Sequence, residues 1–252
     1  MSVMYRLWPS LLAWLLVVGV VRAFWHIEVP RTWMTVDREA VEGLLKVMLW
    51  VVPPAAFLMA AGRQGVREAW RELGLSAPAR PGYTFGLMAT VPMALALLFT
   101  APVLRPDFES ILGTVLVGPF AEEVLFRGFL LAFLIRRAGW SAPAAIGMTS
   151  LAFGLAHMEW EPPALALVSG GGALFAWVYV RWGNLWYAIG LHACINLWWE
   201  LTSGRAASAI AGSDTLSISA AHVASFALAV LMTIRWHGAM HREVDRQNLE
   251  TT

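Results

Sequence analysis

The chain has 252 residues, of which 58% are hydrophobic and 14% charged. A water-soluble core of this size cannot bury that much apolar side chain, so the bilayer is expected to act as solvent. A net charge of +1 with scattered basic residues excludes a nucleic-acid partner, and a lone cysteine, Cys194, excludes a disulfide framework or a CxxC metal site.

A membrane-spanning helix needs about 20 mostly apolar residues. Eight windows approach this: 7–24, 41–61, 83–104, 109–135, 142–158, 162–180, 184–200 and 219–235. The first follows Arg6, as a signal peptide would, but no small-x-small cleavage site precedes Trp25 and His26, so it reads as a retained helix. Pro53-Pro54, Gly118-Pro119 and Gly170-Gly171-Gly172 interrupt three of the windows. Membrane helices tolerate such residues where neighbours re-satisfy the backbone, and small residues let helices approach closely. The stretches 62–81 and 201–218 read as loops. The tail after Arg235, with His237, His241, Arg242, Glu243, Asp245 and Arg246, reads as a solvated end. His26 and His222 fall at helix margins and are assigned no role. The fourteen tryptophans read as interface belt and lipid-facing bulk, and Cys194 as a small apolar residue. The expected fold is all-α: one multi-pass integral membrane domain over residues 1–252, of about eight helices.

Lys and Arg near helix ends set orientation. With the N-terminus inside, Arg6, Arg63, Arg67, Arg71, Arg80, Arg136, Arg137, Arg181, Arg235, Arg242 and Arg246 are cytoplasmic, against Arg22, Arg31, Arg38, Arg105 and Arg205 outside. Both termini are then cytoplasmic.

Ionisable residues within a membrane are costly and mark function by default. The run Pro119-Phe120-Ala121-Glu122-Glu123-Val124-Leu125-Phe126-Arg127-Gly128 places two acids and an arginine among apolar residues. Pro119 suits a first helical turn. Glu123 and Arg127, four apart, share a face and can pair. Glu122, rotated about 100° from Glu123, has no local cation and is available for acid–base work. A second element, Phe153-Gly154-Leu155-Ala156-His157, closes an apolar helix; by itself His157 could cap the helix end. In the third, His192 and Asn196 share a face four residues apart, a spacing that also serves interhelical adhesion. Met158-Glu159-Trp160-Glu161 reads as a solvent-facing turn close to His157.

Glu122-Glu123-x-x-x-Arg127, Phe153-x-x-x-His157 and His192-x-x-x-Asn196, in this order on successive segments, resemble the CPBP family of intramembrane proteases. That group takes in the CAAX prenyl endopeptidases and bacteriocin-processing or self-immunity proteins. The resemblance covers about residues 110–200. It implies a site in a cavity among eight membrane helices, in the bacterial cytoplasmic (inner) membrane. Glu122 and His157 would activate a water, and His192 and Asn196 would stabilise the oxyanion. Glu123 and Arg127 would support the site, and no cofactor is expected. Two Glu and two His could also bind zinc, but Asn196 is a poor zinc ligand and Glu123 has an arginine, so the metal-free glutamic reading is preferred. The implied partner is a membrane-anchored protein or peptide; the orientation above, which places the site toward the outer face, favours translocated precursors whose C-terminal sorting anchor is trimmed. Bacteriocin maturation or self-immunity is the alternative within the family. Outside it stand a transporter relaying protons or ions, against which the chain shows no evident inverted repeat, and a catalytically idle membrane scaffold.

Overall fold

The computed structural model describes residues 3–26, 38–100, 108, 111–157, 162–202 and 220–236, which form helices joined by turns, with no strand among them. In chain order these are α1 (Val3–His26), α2 (Arg38–Trp50), α3 (Val52–Gly62), α4 (Val66–Glu72), α5 (Arg80–Ala89) and α6 (Val91–Thr100). Next comes a continuous helical run, α7, made of four parts: Ile111–Val117, Gly118–Glu123, Val124–Leu131 and Ala132–Arg136. Then follow α8 (Ala142–Leu155), α9 (Pro162–Trp182), α10 (Leu185–Thr202) and α11 (Ala220–Trp236).

Each expected window falls on one of these helices or on a broken pair. The window 41–61 is carried by α2 and α3, parted at Val51 just before Pro53-Pro54, whose missing N–H groups and rings interrupt the helical ladder. The window 83–104 is carried by α5 and α6, parted at Thr90. There the hydroxyl donates back to Gly86 O at 2.8 Å and accepts from Trp198 Nε1 at 2.9 Å. Such back-bonding bends helices, and no proline announces this one. The stretch 62–81, expected to be a loop, contains the short helix α4. Two runs, Gly43–Gly62 and Leu165–Trp182, are each long and apolar enough to cross a membrane; Ser10–Ala23, Ala142–Leu155 and Ala220–Trp236 are shorter apolar helices. Residues 203–219, those from 237 onward and Met158 to Glu161, expected to form a turn, lie outside the described residues.

The centre of the fold is α7. Every residue from 121 to 134 is buried, as expected for a helix apolar on all sides. Its Ile111–Val117 and Val124–Leu131 parts are wound as wide π turns; such turns inside helices occur often at functional sites. Against this helix, α10 is locked to α5 by glycine. A Cβ added at Gly82 would lie 2.1 Å from Trp186 O, and one at Gly86 would lie 2.2 Å from Gly190 O. Only the lack of a side chain permits that approach.

One end of the bundle is basic. Leu185 N donates to Gly74 O, Arg136 donates to Glu72 O and the Tyr179 hydroxyl, and Trp182 Nε1 reaches Thr233 Oγ1. These bonds gather the turn after α4, the α7–α8 turn, the α9–α10 turn and the close of α11. Glu72 there pairs with Arg137 at 2.7 Å. The hydrogen bond from Arg137 holds the Glu72 carboxyl below the usual carboxylate range, with burial opposing and Gln64 assisting. From this end α8 runs about 20 Å to reach His157 just past its far end.

Candidate active site

The acidic pair occupies the six-residue α-helical part of α7, Gly118–Glu123, with Pro119 in its first turn. Both carboxylates are buried, and the helical step of about 100° between them gives them different partners. Glu123 Oε1 accepts from Arg127 Nη1 at 2.9 Å and from His192 Nδ1 at 2.8 Å. Arg127, fully buried, donates from Nη2 to Gly172 O at 3.0 Å and lies 4.2 Å from the centre of the Phe153 ring. A Cβ on Gly172 would come within 3.1 Å of both Arg127 Nη2 and Phe153. One glycine of the triple run therefore exists to admit the guanidinium. Glu123 Oε2 and Arg127 Nε have no hydrogen-bond partner among the described residues.

Glu122 was expected to lack a cation, and the structure corrects this. Lys46 Nζ on α2 lies 2.5 Å from Glu122 Oε1 and 4.9 Å over the Trp50 ring. It is the sequence's only lysine. It was missed because local spacing on α7 cannot show a partner 76 residues away. The rule that intramembrane charges mark function would have found it if applied to window 41–61.

The other oxygen, Oε2, lies 3.7 Å from His192 Nε2 and 4.0 Å from His157 Nε2. Hydrogen bonding settles the tautomers. His157 Nδ1 is 2.8 Å from Phe153 O, a carbonyl that can only accept, so Nδ1 carries the hydrogen. His192 Nδ1 faces the Glu123 carboxylate in the same way. In their neutral forms both rings therefore turn an Nε2 lone pair toward Glu122. Asn196, one turn beyond His192, donates from Nδ2 to Thr114 O at 3.0 Å, on the π-wound part of α7.

Glu122, His157, His192 and Asn196 line one cavity of about 250 Å³. Its remaining wall is largely apolar, with Leu167, Val168, Gly171, Phe175 and Phe226. His222 lines it too, which revises its reading as a margin residue. It is 2% exposed, and its Nε2 accepts from Trp199 Nε1 at 3.1 Å. Its position near the start of an apolar helix looked interfacial because the sequence does not show that Trp199 packs over it. Cys194 is buried in the core of α10.

A tetrahedral zinc with bonds of 2.0–2.2 Å sets its ligand atoms roughly 3.3–3.6 Å apart. The Glu122–histidine separations exceed this, Glu123 is committed to Arg127 and His192, and among the described residues no three His, Cys, Asp or Glu side chains group closely enough to hold an ion. The residues as placed do not fit zinc.

Three ordered motifs converging on one buried cavity direct the comparison with known proteins. Residues 105–198 match the Rce1-like family, type II CAAX prenyl endopeptidases. The match agrees with the CPBP resemblance, and the matched family is one of intramembrane proteases. It runs from just before α7 to near the end of α10, under half of the chain, and takes in the acidic pair, both site histidines and Asn196 but neither Lys46 nor His222. Together with the apolar helices it makes this a membrane protein. No curated protein and no solved structure matches the chain.

Proposed function

We propose that the protein is an intramembrane endopeptidase of glutamic type that hydrolyses peptide bonds in membrane-associated precursors. The observation that carries the reading is the gap between Glu122 Oε2 and the Nε2 atoms of His192 and His157. At 3.7 and 4.0 Å it is too wide for a direct hydrogen bond and suits a single bridging water.

Glu122 takes one proton from that water, oriented by a hydrogen bond to His157 Nε2, as the water oxygen attacks the substrate carbonyl carbon, and Glu122 returns that proton to the leaving amine as the C–N bond breaks. Lys46 fixes Oε1 and so turns Oε2 to the imidazoles. His192 and Asn196 meet the oxyanion. For this His192 must carry a proton on Nε2, and the Glu123 carboxylate at its Nδ1 supports the imidazolium. Asn196 must give up Thr114 O. No metal takes part: activity should persist in a chelator, and activity lost there and restored only by zinc would overturn the glutamic reading.

The eight windows are read as eight crossings of the bacterial inner membrane, with the basic end and both termini cytoplasmic. The cavity then lies toward the outer face, which suits translocated precursors whose C-terminal anchor is removed during sorting. Reporter fusions at residues 70 and 210 should report inside and outside respectively; the reverse would remove this substrate class. Activity itself is tested by comparing membrane-protein termini by mass spectrometry in cells carrying wild type or Glu122→Gln. Uncut precursors should accumulate in the variant, and identical termini would end the protease reading.

A further inference from the structure

Two hollows adjoin on the outer side of α4, and neither shares a lining residue with the cavity. The first, of about 650 Å³, is lined by Val66, Arg67, Trp70, Arg71 and Ser76. The second, of about 280 Å³, is walled by apolar residues alone, among them Val52, Ala55, Ala56 and Met59 of α3, and shares Val66 and Trp70 with the first. Arg67 and Arg71 lie one helical turn apart, so both can reach a common anion. Their guanidinium groups make no hydrogen bond or ion pair among the described residues. The acids of α4 do not serve them: Glu72 is engaged by Arg137 and Gln64, and Glu68 forms no ion pair among the described residues.

Depth defines the ligand. The apolar hollow lies against Gly43–Gly62, a run long and apolar enough to cross a membrane, and Val52, Val66 and Trp70 are exposed there. Arg67, Trp70 and Arg71 follow the end of that run in the chain, and tryptophan and arginine beside a membrane-crossing run suit the level of the lipid headgroups. A soluble anion would fill the first hollow and leave the second uncovered; a phospholipid fills both. We infer that this surface binds an anionic phospholipid, with its phosphate between Arg67 and Arg71 and one acyl chain along Val52, Ala55 and Met59. Paired guanidinium forks suit phosphate oxygens, and basic residues at the membrane surface favour anionic headgroups. The inference is independent of the protease reading.

The test is native mass spectrometry of the full chain in detergent, titrated with phosphatidylglycerol or with phosphatidylcholine of the same acyl chains. Wild type should retain phosphatidylglycerol roughly tenfold more tightly. The double variant Arg67→Gln/Arg71→Gln, at two exposed positions, should erase the preference, and Arg67→Lys/Arg71→Lys should keep part of it. Ala56→Trp, which fills the apolar hollow, should weaken phosphatidylglycerol binding with both arginines in place. Equal binding of the two lipids by wild type would overturn the inference whatever the variants do. So would a preference that survives the double Gln variant, binding untouched by Ala56→Trp, or displacement of the lipid by an equal concentration of inorganic phosphate.

Discussion

Two glutamate–arginine pairs have nearly the same length and opposite surroundings. Glu123–Arg127, at 2.9 Å, is completely buried in α7, whereas Glu72–Arg137, at 2.7 Å, lies at the basic end with its arginine a third exposed. In the core the pair is one part of a larger set, because Glu123 also takes His192 and Arg127 also takes Gly172. At the basic end it ties α4 to the close of α7 and leaves the cavity untouched. Contact length is therefore a poor guide to what each pair contributes. Losing one partner in the core strands a charge without water, and at the end it leaves a solvated group.

The largest expected effect comes from breaking the buried pair on one side. Arg127→Met should cost about 3–5 kcal/mol of folding stability, read as a fall in melting temperature in detergent. Removing both charges, in Arg127→Met/Glu123→Met, should cost less than the single change, and a single variant that melts with wild type would dissolve the contrast. Next is Glu122→Gln, beside that pair but facing the cavity. Precursor cleavage should drop on the order of 10²-fold or more with a smaller loss of melting temperature than Arg127→Met. A loss of stability as large as that of Arg127→Met would make Glu122 structural, like its neighbour.

Lys46→Met should lower cleavage by about tenfold to a hundredfold through misplacement of the Glu122 carboxylate, and Lys46→Arg should restore part of it. A Lys46→Met protein as active as wild type would show that Glu122 keeps its orientation without the ion pair. The smallest effect is expected at the basic end, where Glu72→Gln should cost under about 1 kcal/mol. Because the folded carboxyl of Glu72 is held below its usual range, its contribution is present at neutral pH and lost as pH falls through the folded value. Melting curves of wild type and Glu72→Gln should differ at pH 7 and converge in acid; a gap that widens in acid would contradict this.

The motifs of α7, α8 and α10 were legible because each is local. A four-residue spacing puts Glu123 under Arg127, and a charge within an apolar run stands out against its neighbours. The helices were legible from hydropathy, and Pro53-Pro54 marked one of the two breaks. Whatever depended on packing between distant segments was not legible. The Thr90 break needs Trp198 across the bundle, the Lys46–Glu122 pair joins α2 to α7, and His222 enters the cavity wall because α11 packs beside Trp199. The Gly170-Gly171-Gly172 run was visible as an interruption whose small residues allow close packing. Its division of labour, with Gly172 admitting Arg127 and Gly171 leaving the cavity wall open, appears only in three dimensions.

The glycine seam between α5 and α10 has a mechanical consequence. With backbone resting on backbone, no layer of side chains is left to act as a bearing, so the two helices can neither slide nor roll against each other. His192 rides on a stiff plate. The opposite wall, from α9 and α11, meets the cavity through the flexible side chains of Leu167, Val168 and Phe226. Room for an entering peptide must come from that side. Hydrogen exchange should accordingly be slow along α10 and faster along α11, and the reverse order would move the doorway to the seam.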